Sequence, residues 1–194
     1  MERACSEVLA QEIRKSWERC AVRSLSRNLD KVVIIDKKQL DLLIDRYEFL
    51  IGLFRNIVRD VIELLEKELL FFLVDKDGFL LDYIDNIKET ETGIPLCSGM
   101  SFREEDMGTN AISLAMHLGK GVAFSPVDHY CSIFHNWYCY AAPIIHNKEI
   151  IAYLDVSTID EKMEKELIVI ADLIINLINK ELTHYEGINL SEKK

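Results

Sequence analysis

The stretch Tyr138-Cys-Tyr-Ala-Ala-Pro-Ile-Ile-His-Asn-Lys-Glu-Ile-Ile-Ala-Tyr-Leu-Asp-Val-Ser157 decides the fold. Tyr138 to Ile145 and Glu149 to Ser157 are rich in aromatic and β-branched residues. They flank His146-Asn147-Lys148, so the segment reads as two antiparallel strands joined by a turn. Upstream, Phe71-Phe-Leu-Val-Asp-Lys-Asp-Gly-Phe-Leu-Leu-Asp-Tyr-Ile84 reads as a second hairpin. Its Asp77-Gly78 pair supplies a turn in which glycine tolerates positive φ. Val122-Ala-Phe124 adds a short strand. A helix is expected from about Thr109 to Leu118, stopped at Gly119. Residues 85–107 read as loop-rich, with turn signals at Gly93, Pro95 and Gly99. Ser125 to Asn136 carries Pro126 and reads as a loop or a brief helix.

Long helical patterns surround these strands. Residues 1–22 read as a helix, with Ile13, Trp17 and Cys20 on one side and Arg14, Lys15, Glu18 and Arg19 on the other. Residues 23–38 form a connector, whose run Val32-Val-Ile-Ile35 either pairs as a strand or packs. From Gln39 to about Leu69, two apolar rows run side by side. One holds Leu43, Tyr47, Leu50, Phe54, Ile57, Val61 and Leu64; the other holds Leu40, Ile44, Ile51, Val58, Ile62 and Leu69. One row suffices to cover a sheet, so the second implies a further helical neighbour, from the same chain or from a second subunit. Thr158 or Asp160 caps a final helix to about His184, which is again apolar over a wide arc. The tail from Gly187 is polar. The order helix, hairpin, helix, strand, hairpin, helix contains no βαβ repeat. It predicts an α+β fold, an antiparallel sheet with the long N- and C-terminal helices packed on one face. Residues 1–38 are read as helix and connector, 39–186 as the domain proper and 187–194 as a tail.

Composition narrows the function. The chain has 194 residues, 49% of them hydrophobic, with only 8 Gly and 3 Pro, which suits one compact domain with flanking helices. The formal net charge is −10, and Lys and Arg are interspersed with Glu and Asp. Direct nucleic-acid binding and attachment to an anionic membrane surface are therefore not expected. No run of about 18 apolar residues lacks charges, so no membrane span is predicted. Met1-Glu-Arg-Ala-Cys5 has no apolar signal core. Five cysteines, Cys5, Cys20, Cys97, Cys131 and Cys139, form no paired framework. A cytoplasmic chain with reduced thiols is the reading that follows.

One region carries a family resemblance. From Glu104 the sequence runs Glu-Glu-Asp-Met-Gly-Thr-Asn-Ala-Ile-Ser-Leu-Ala, then Gly-Lys-Gly-Val, Asp-His-Tyr-Cys, Phe-His-Asn-Trp-Tyr-Cys-Tyr-Ala-Ala-Pro-Ile and Ile-Ile-Ala-Tyr-Leu-Asp-Val-Ser157. Taken in this order and spacing, with Ser16-Trp-Glu-Arg-Cys20 upstream, it closely resembles the N-terminal GAF sensory domain of sigma-54-dependent transcriptional activators of the acetoin and dihydroxyacetone-kinase regulator type. The resemblance implies a GAF-like sheet, a signal-sensing role in transcription regulation, and no enzymatic activity. Such regulators continue into an AAA+ ATPase module and a DNA-binding module. This sequence has no Gly-x4-Gly-Lys-Ser/Thr motif, so it is either a sensor excised from such a regulator or a free-standing relative. An AAA+ module or another transcription partner would then read its signal, a small-molecule effector would supply it, and the apolar helices imply a homodimer. The connector after Cys20 lacks the Pro-rich run of that family.

The resemblance also places a ligand pocket between the sheet and a lid drawn from residues 95–108 and 125–137. The candidate contact residues are Cys97, Phe102, Glu105, His129, Tyr130, Phe134, His135, Trp137 and Tyr138, an aromatic surface with a few polar groups. A small metabolite or organic acid is the expected ligand, since Arg103 is the lone arginine of the lid region. The identity of any cofactor is left open. Two alternatives use the same residues. His129, Cys131, His135 and Cys139 are competent metal or redox ligands, although their spacing lacks a tight Cys-x2-Cys knuckle. Cys97 and Cys131 facing each other would suit a free-methionine-sulfoxide-reductase-like GAF enzyme. Glu104, Glu105 and Asp106 are read as acids favouring the positive end of the helix starting near Thr109, with Thr109 as its cap.

Overall fold

The computed structural model describes residues 2–28, 31–65, 67–87 and 95–192. The turn signal expected at Gly93 lies outside them. Five strands, β1 (Leu70–Asp75), β2 (Leu80–Asp85), β3 (Val122–Phe124), β4 (Tyr138–His146) and β5 (Glu149–Thr158), form one sheet in the order β2-β1-β5-β4-β3. Every pairing is antiparallel. The first hairpin turns at Gly78, with φ +94°, while the Asp75 carboxylate accepts from the amides of Asp77 and Phe79. The second turns at Asn147 and Lys148, both with positive φ, which matches the right-handed twist of the strands.

Pleating sorts the side chains. Phe71, Leu73, Ala152, Leu154, Val156 and Ile144 face one layer, formed by α2 (Lys37–Leu65) and α5 (Glu164–Glu192). Leu70, Phe72, Val74, Tyr153, Ala141 and Cys139 face the other, with α4 (Ala111–Leu118) and part of α1 (Glu2–Val22). The expected α+β class holds, and the two long helices share a face. Helical cover is not confined to that face, however, because α1, α3 (Glu104–Met107) and α4 lie across the sheet. The second apolar row of α2 finds its neighbour within the chain. Leu50, Ile51, Phe54, Val58 and Val61 are buried against the sheet and α5. The run around Val33 pairs after all: the Ser101 amide donates to its carbonyl, and Ile34 bridges Met100.

Two local readings need correction. The acidic triplet is not at the start of α4 but forms α3. Glu104 accepts from Ser16 and from Arg19 and Arg23 of the N-terminal segment, and Asp106 accepts from Ser101 and Arg103. Burial alone would raise the Glu104 pKa, but the hydrogen bonds from Arg19 and Ser16 and the charges of Arg19 and Arg23 hold it below the usual range. The cap of α4 is Asn110 rather than Thr109. The Asn110 side chain accepts from the Ser113 amide, the Ser113 hydroxyl accepts from the Asn110 amide, and the Thr109 hydroxyl meets Ser16 instead. The displacement is one residue, because Gly108 takes φ +73° and ψ −171° to swing the chain from α3 into α4.

That backbone region is open almost exclusively to glycine. A Cβ on Gly108 would also lie 2.8 Å from the Tyr130 ring. Gly108→Ala is expected to destabilise the domain by about 3 kcal/mol, read as a lower urea midpoint. A loss below about 0.5 kcal/mol would show that the α3–α4 corner relaxes freely.

Candidate functional site

A small cavity lies between the α4 face of the sheet and the loop from Ser125 to Trp137. It offers about 20 Å³ to a water-sized molecule, room for one or two waters. Leu70 and Phe72 of β1, Cys139 of β4, and Asp155 and Ser157 of β5 form its floor. The first turn of α4 supplies Asn110, Ala111 and Ile112, Phe102 closes one side, and His129, Phe134 and Trp137 close the top. The loop holds its shape through two 3-10 turns, Pro126–Asp128 and Ser132–Phe134. The Asp128 carboxylate receives the Ser125 amide and hydroxyl, and the Trp137 amide donates to the Phe134 carbonyl.

Four expected contact residues, Phe102, His129, Phe134 and Trp137, line this cavity. The other five lie elsewhere, each for a physical reason. Tyr130 turns outward: its hydroxyl donates to the Leu25 carbonyl and its ring meets Trp17 edge-on at 5.4 Å. His135 is exposed and its Nε2 meets the His129 carbonyl at 3.1 Å. Glu105 is exposed on α3, 3.6 Å from Arg103. Cys97 is half-buried at the margin of the core. Tyr138 precedes Cys139 on β4, so the pleat directs it to the α2–α5 side.

The floor went unrecognised in the sequence. Asp155 and Ser157 stand two apart near the end of the largely apolar β5, and that spacing puts both on one face. Asp155 is 2% exposed and its Oδ1 accepts from the Ser157 hydroxyl at 2.5 Å. Burial pushes its pKa up to about 7, against the lowering effect of that bond. His129 is 1% exposed and edge-on to Phe124. Burial depresses its pKa to about 4, although the Pro126 and Ser125 carbonyls and Asp128 lie close enough to oppose the shift. Neither carbonyl completes a well-formed bond, and Nδ1 has no hydrogen-bond partner. The Cys139 thiol is held neutral, its pKa raised well above the usual value by burial and by Asp155.

The four-donor metal arrangement is not formed. The Cys131 thiol donates to the Met107 carbonyl, His135 points to a backbone oxygen, and Cys139 sits on the cavity floor. Among the described residues no three His, Cys, Asp or Glu side chains converge closely enough to hold an ion. No helix among them is long and apolar enough to cross a membrane.

No family model matches the chain. Over 179 residues it is 27% identical to the acetoin dehydrogenase operon transcriptional activator AcoR of Bacillus subtilis. That likeness covers 90% of this chain, which spans 30% of the length of AcoR. The fold matches the Escherichia coli DhaR(N)–DhaL complex structure with a TM-score of 0.75 at 19% identity, covering 93% of this chain and 64% of that one. A type II free methionine-R-sulfoxide reductase from Thermoplasma acidophilum superposes over 69% of the chain with a TM-score of 0.45, which supports no inference about chemistry.

Asp155 and His129 act on stability with opposite sign. Asp155 binds its proton more tightly folded than unfolded, so its contribution is full below 3.8 and is lost as pH rises through about 7. His129 binds its proton less tightly folded, so its contribution is full above 6.5 and is lost as pH falls through about 4. Across the shared window the two slopes oppose each other. Asp155→Asn is expected to leave stability rising with pH there, and His129→Gln to leave it falling, each by on the order of 3 kcal/mol. Urea unfolding at a series of pH values measures both, and parallel curves for the two variants would contradict the assignment.

Proposed function

We propose that this chain, a GAF-like regulatory domain of the kind carried by sigma-54-dependent transcriptional activators, senses a small molecule in the cavity beneath the Ser125–Trp137 lid. The observation that carries the reading is the cavity itself. It is aromatic-walled and lined by a buried carboxylate and by a buried histidine with one ring nitrogen lacking a partner. A site built only for packing would be filled with apolar side chains, because unsatisfied buried polar groups cost free energy. The likeness to regulators supports a sensor rather than an enzyme.

The lid has two sides. Its inner residues line the cavity, and its outer residues hold the segment after α1: the Ser132 amide donates to the Arg27 carbonyl, and the Tyr130 hydroxyl to the Leu25 carbonyl. A ligand that favours one lid position therefore biases α1, which is a population shift with a defined path. The −10 charge argues that output passes through protein contacts and not through direct DNA binding. An attached AAA+ module or a separate partner receives it, and the DhaR(N)–DhaL structure shows that this fold is met in a complex with a second protein.

Leu64 apart, the apolar rows of α2 are largely spent inside the chain, so a homodimer relies on the outer side of α5. There Val169, Leu173 and Leu177 repeat every four residues and are exposed, and Phe49 stacks on Tyr185 beside them. Leu173→Glu is expected to give a monomer in sedimentation equilibrium with unfolding stability changed by less than about 0.5 kcal/mol. A monomeric unsubstituted protein would overturn the dimer. For the sensor itself, native mass spectrometry of the purified protein should show a bound metabolite, or a metabolite panel should raise the melting temperature by about 5 °C at 100-fold excess over Kd. No adduct and no shift from any panel member would overturn the reading.

A further inference from the structure

Building on the reading of the cavity as a ligand site, we propose that it takes a small ammonium-type cation, ammonium itself or a short primary amine, held between Asp155 and His129 under the aromatic lid. The hydrogen-bonding inventory of the walls leads there. Asn110 has no donor left to offer, since its Nδ2 donates to the Phe102 and Gly108 carbonyls, while its Oδ1 accepts from the Ser113 amide. The Ser157 hydroxyl proton is given to Asp155. Among the described residues no lysine or arginine lines the cavity.

What remains is dominated by the buried Asp155 carboxylate. The Asp155 carboxylate has one hydrogen bond from a neutral hydroxyl and no cation. His129, neutral at ordinary pH, keeps one ring lone pair and so accepts without donating a charge. An anion would find no cationic donor, only the uncharged ring N–H groups that His129 and Trp137 carry, and would face a carboxylate. A neutral alcohol would donate one hydrogen bond but leave the buried negative charge uncompensated, as water does. An alkylammonium supplies both what the carboxylate needs, positive charge and several N–H donors, and the Phe72, Phe102, Phe134 and Trp137 rings suit it as cation–π surfaces. The size agrees, since ammonium is close to water in volume.

The other groups facing Asp155 do not compete for this role. Cys139 on β4 stays a neutral thiol, His129 on the lid stays uncharged, β1 contributes Leu70 and Phe72, and α4 contributes Asn110, Ala111 and Ile112. Proton and cation therefore exclude each other on one carboxylate.

The test is titration of the intact chain at about pH 8 with ammonium, methylammonium and ethylammonium chloride, against sodium chloride at equal ionic strength, and against ethanol and sodium formate. Melting temperature and backbone amide chemical shifts are followed. The cations alone should stabilise the protein, with shift changes centred on the cavity. Their apparent affinity should fall about tenfold per pH unit below about 7, because the proton must leave before the cation binds. Asp155→Asn should abolish the effect, and its melting curve checks that the variant folds. The pH series on the unsubstituted chain needs no variant. Equal stabilisation of Asp155→Asn, or affinity indifferent to pH, would overturn the cation assignment. Saturable binding of ethanol or formate at the cavity would overturn it too while leaving a ligand site in place. No response to any probe would overturn the cation assignment, and with no bound metabolite found the sensor reading would fall separately.

Discussion

The central position of β5 is the constraint on which the rest depends. It pairs with β1 on one side and β4 on the other, so neither edge nor face meets solvent over most of its length. Pleating then leaves no freedom: Ala152, Leu154 and Val156 go under α2 and α5, and Tyr153, Asp155 and Ser157 go under α4 and the lid. A slip of one residue would drive the carboxylate into the α5 layer and Leu154 into the cavity. Each buried aliphatic side chain in that layer contributes about 1.5–3 kcal/mol of transfer free energy, so the correct register is strongly preferred. The core thereby holds Asp155 in a place that water would otherwise claim.

Much of this order was legible in the sequence because turns carry local signatures. Asp77-Gly78, Asn147-Lys148 and Gly119 each mark the end of an element through backbone chemistry that a reader can recognise. Reading failed where one residue's choice depends on a distant partner. Thr109 has the chemistry of a cap but is claimed by Ser16 of α1, 93 residues away, and Asn110 takes the cap. Glu104 resembles a helix-dipole acid but is claimed by Arg19. A third of the cavity lining was visible, namely Phe102 and the lid residues His129, Phe134 and Trp137, because composition concentrates them. The floor was not, since strands β1, β4 and β5 become neighbours only in the folded sheet. Period-two reading would still have separated Tyr138 from Cys139 and linked Asp155 to Ser157.

The lid joins two otherwise separate regions through a single thickness of chain. His129 and Phe134 touch the interior, while Arg27 lies over the Trp17 and Tyr130 rings on the outer side. The Trp17 indole N–H reaches the Asp128 carbonyl at 2.9 Å, which ties α1 to the same loop. The opposite layer, α2 and α5, packs on the other face of the sheet. The two helical layers therefore differ in kind. One is a stiff base, and the other is coupled to the loop whose position the cavity controls.

The distance in sequence between α1 and its anchors has a consequence for synthesis. Its partners Glu104, Thr109, Asp128 and Tyr130 all follow it by more than 80 residues. During translation the first helix leaves the ribosome well before anything exists to receive it. The β1–β2 hairpin can close locally, but β1 gains its inner neighbour only when β5 has emerged. A nascent chain therefore carries Trp17 and its neighbours uncovered until nearly the whole domain is made, the interval in which chaperone capture or wrong pairing competes with folding.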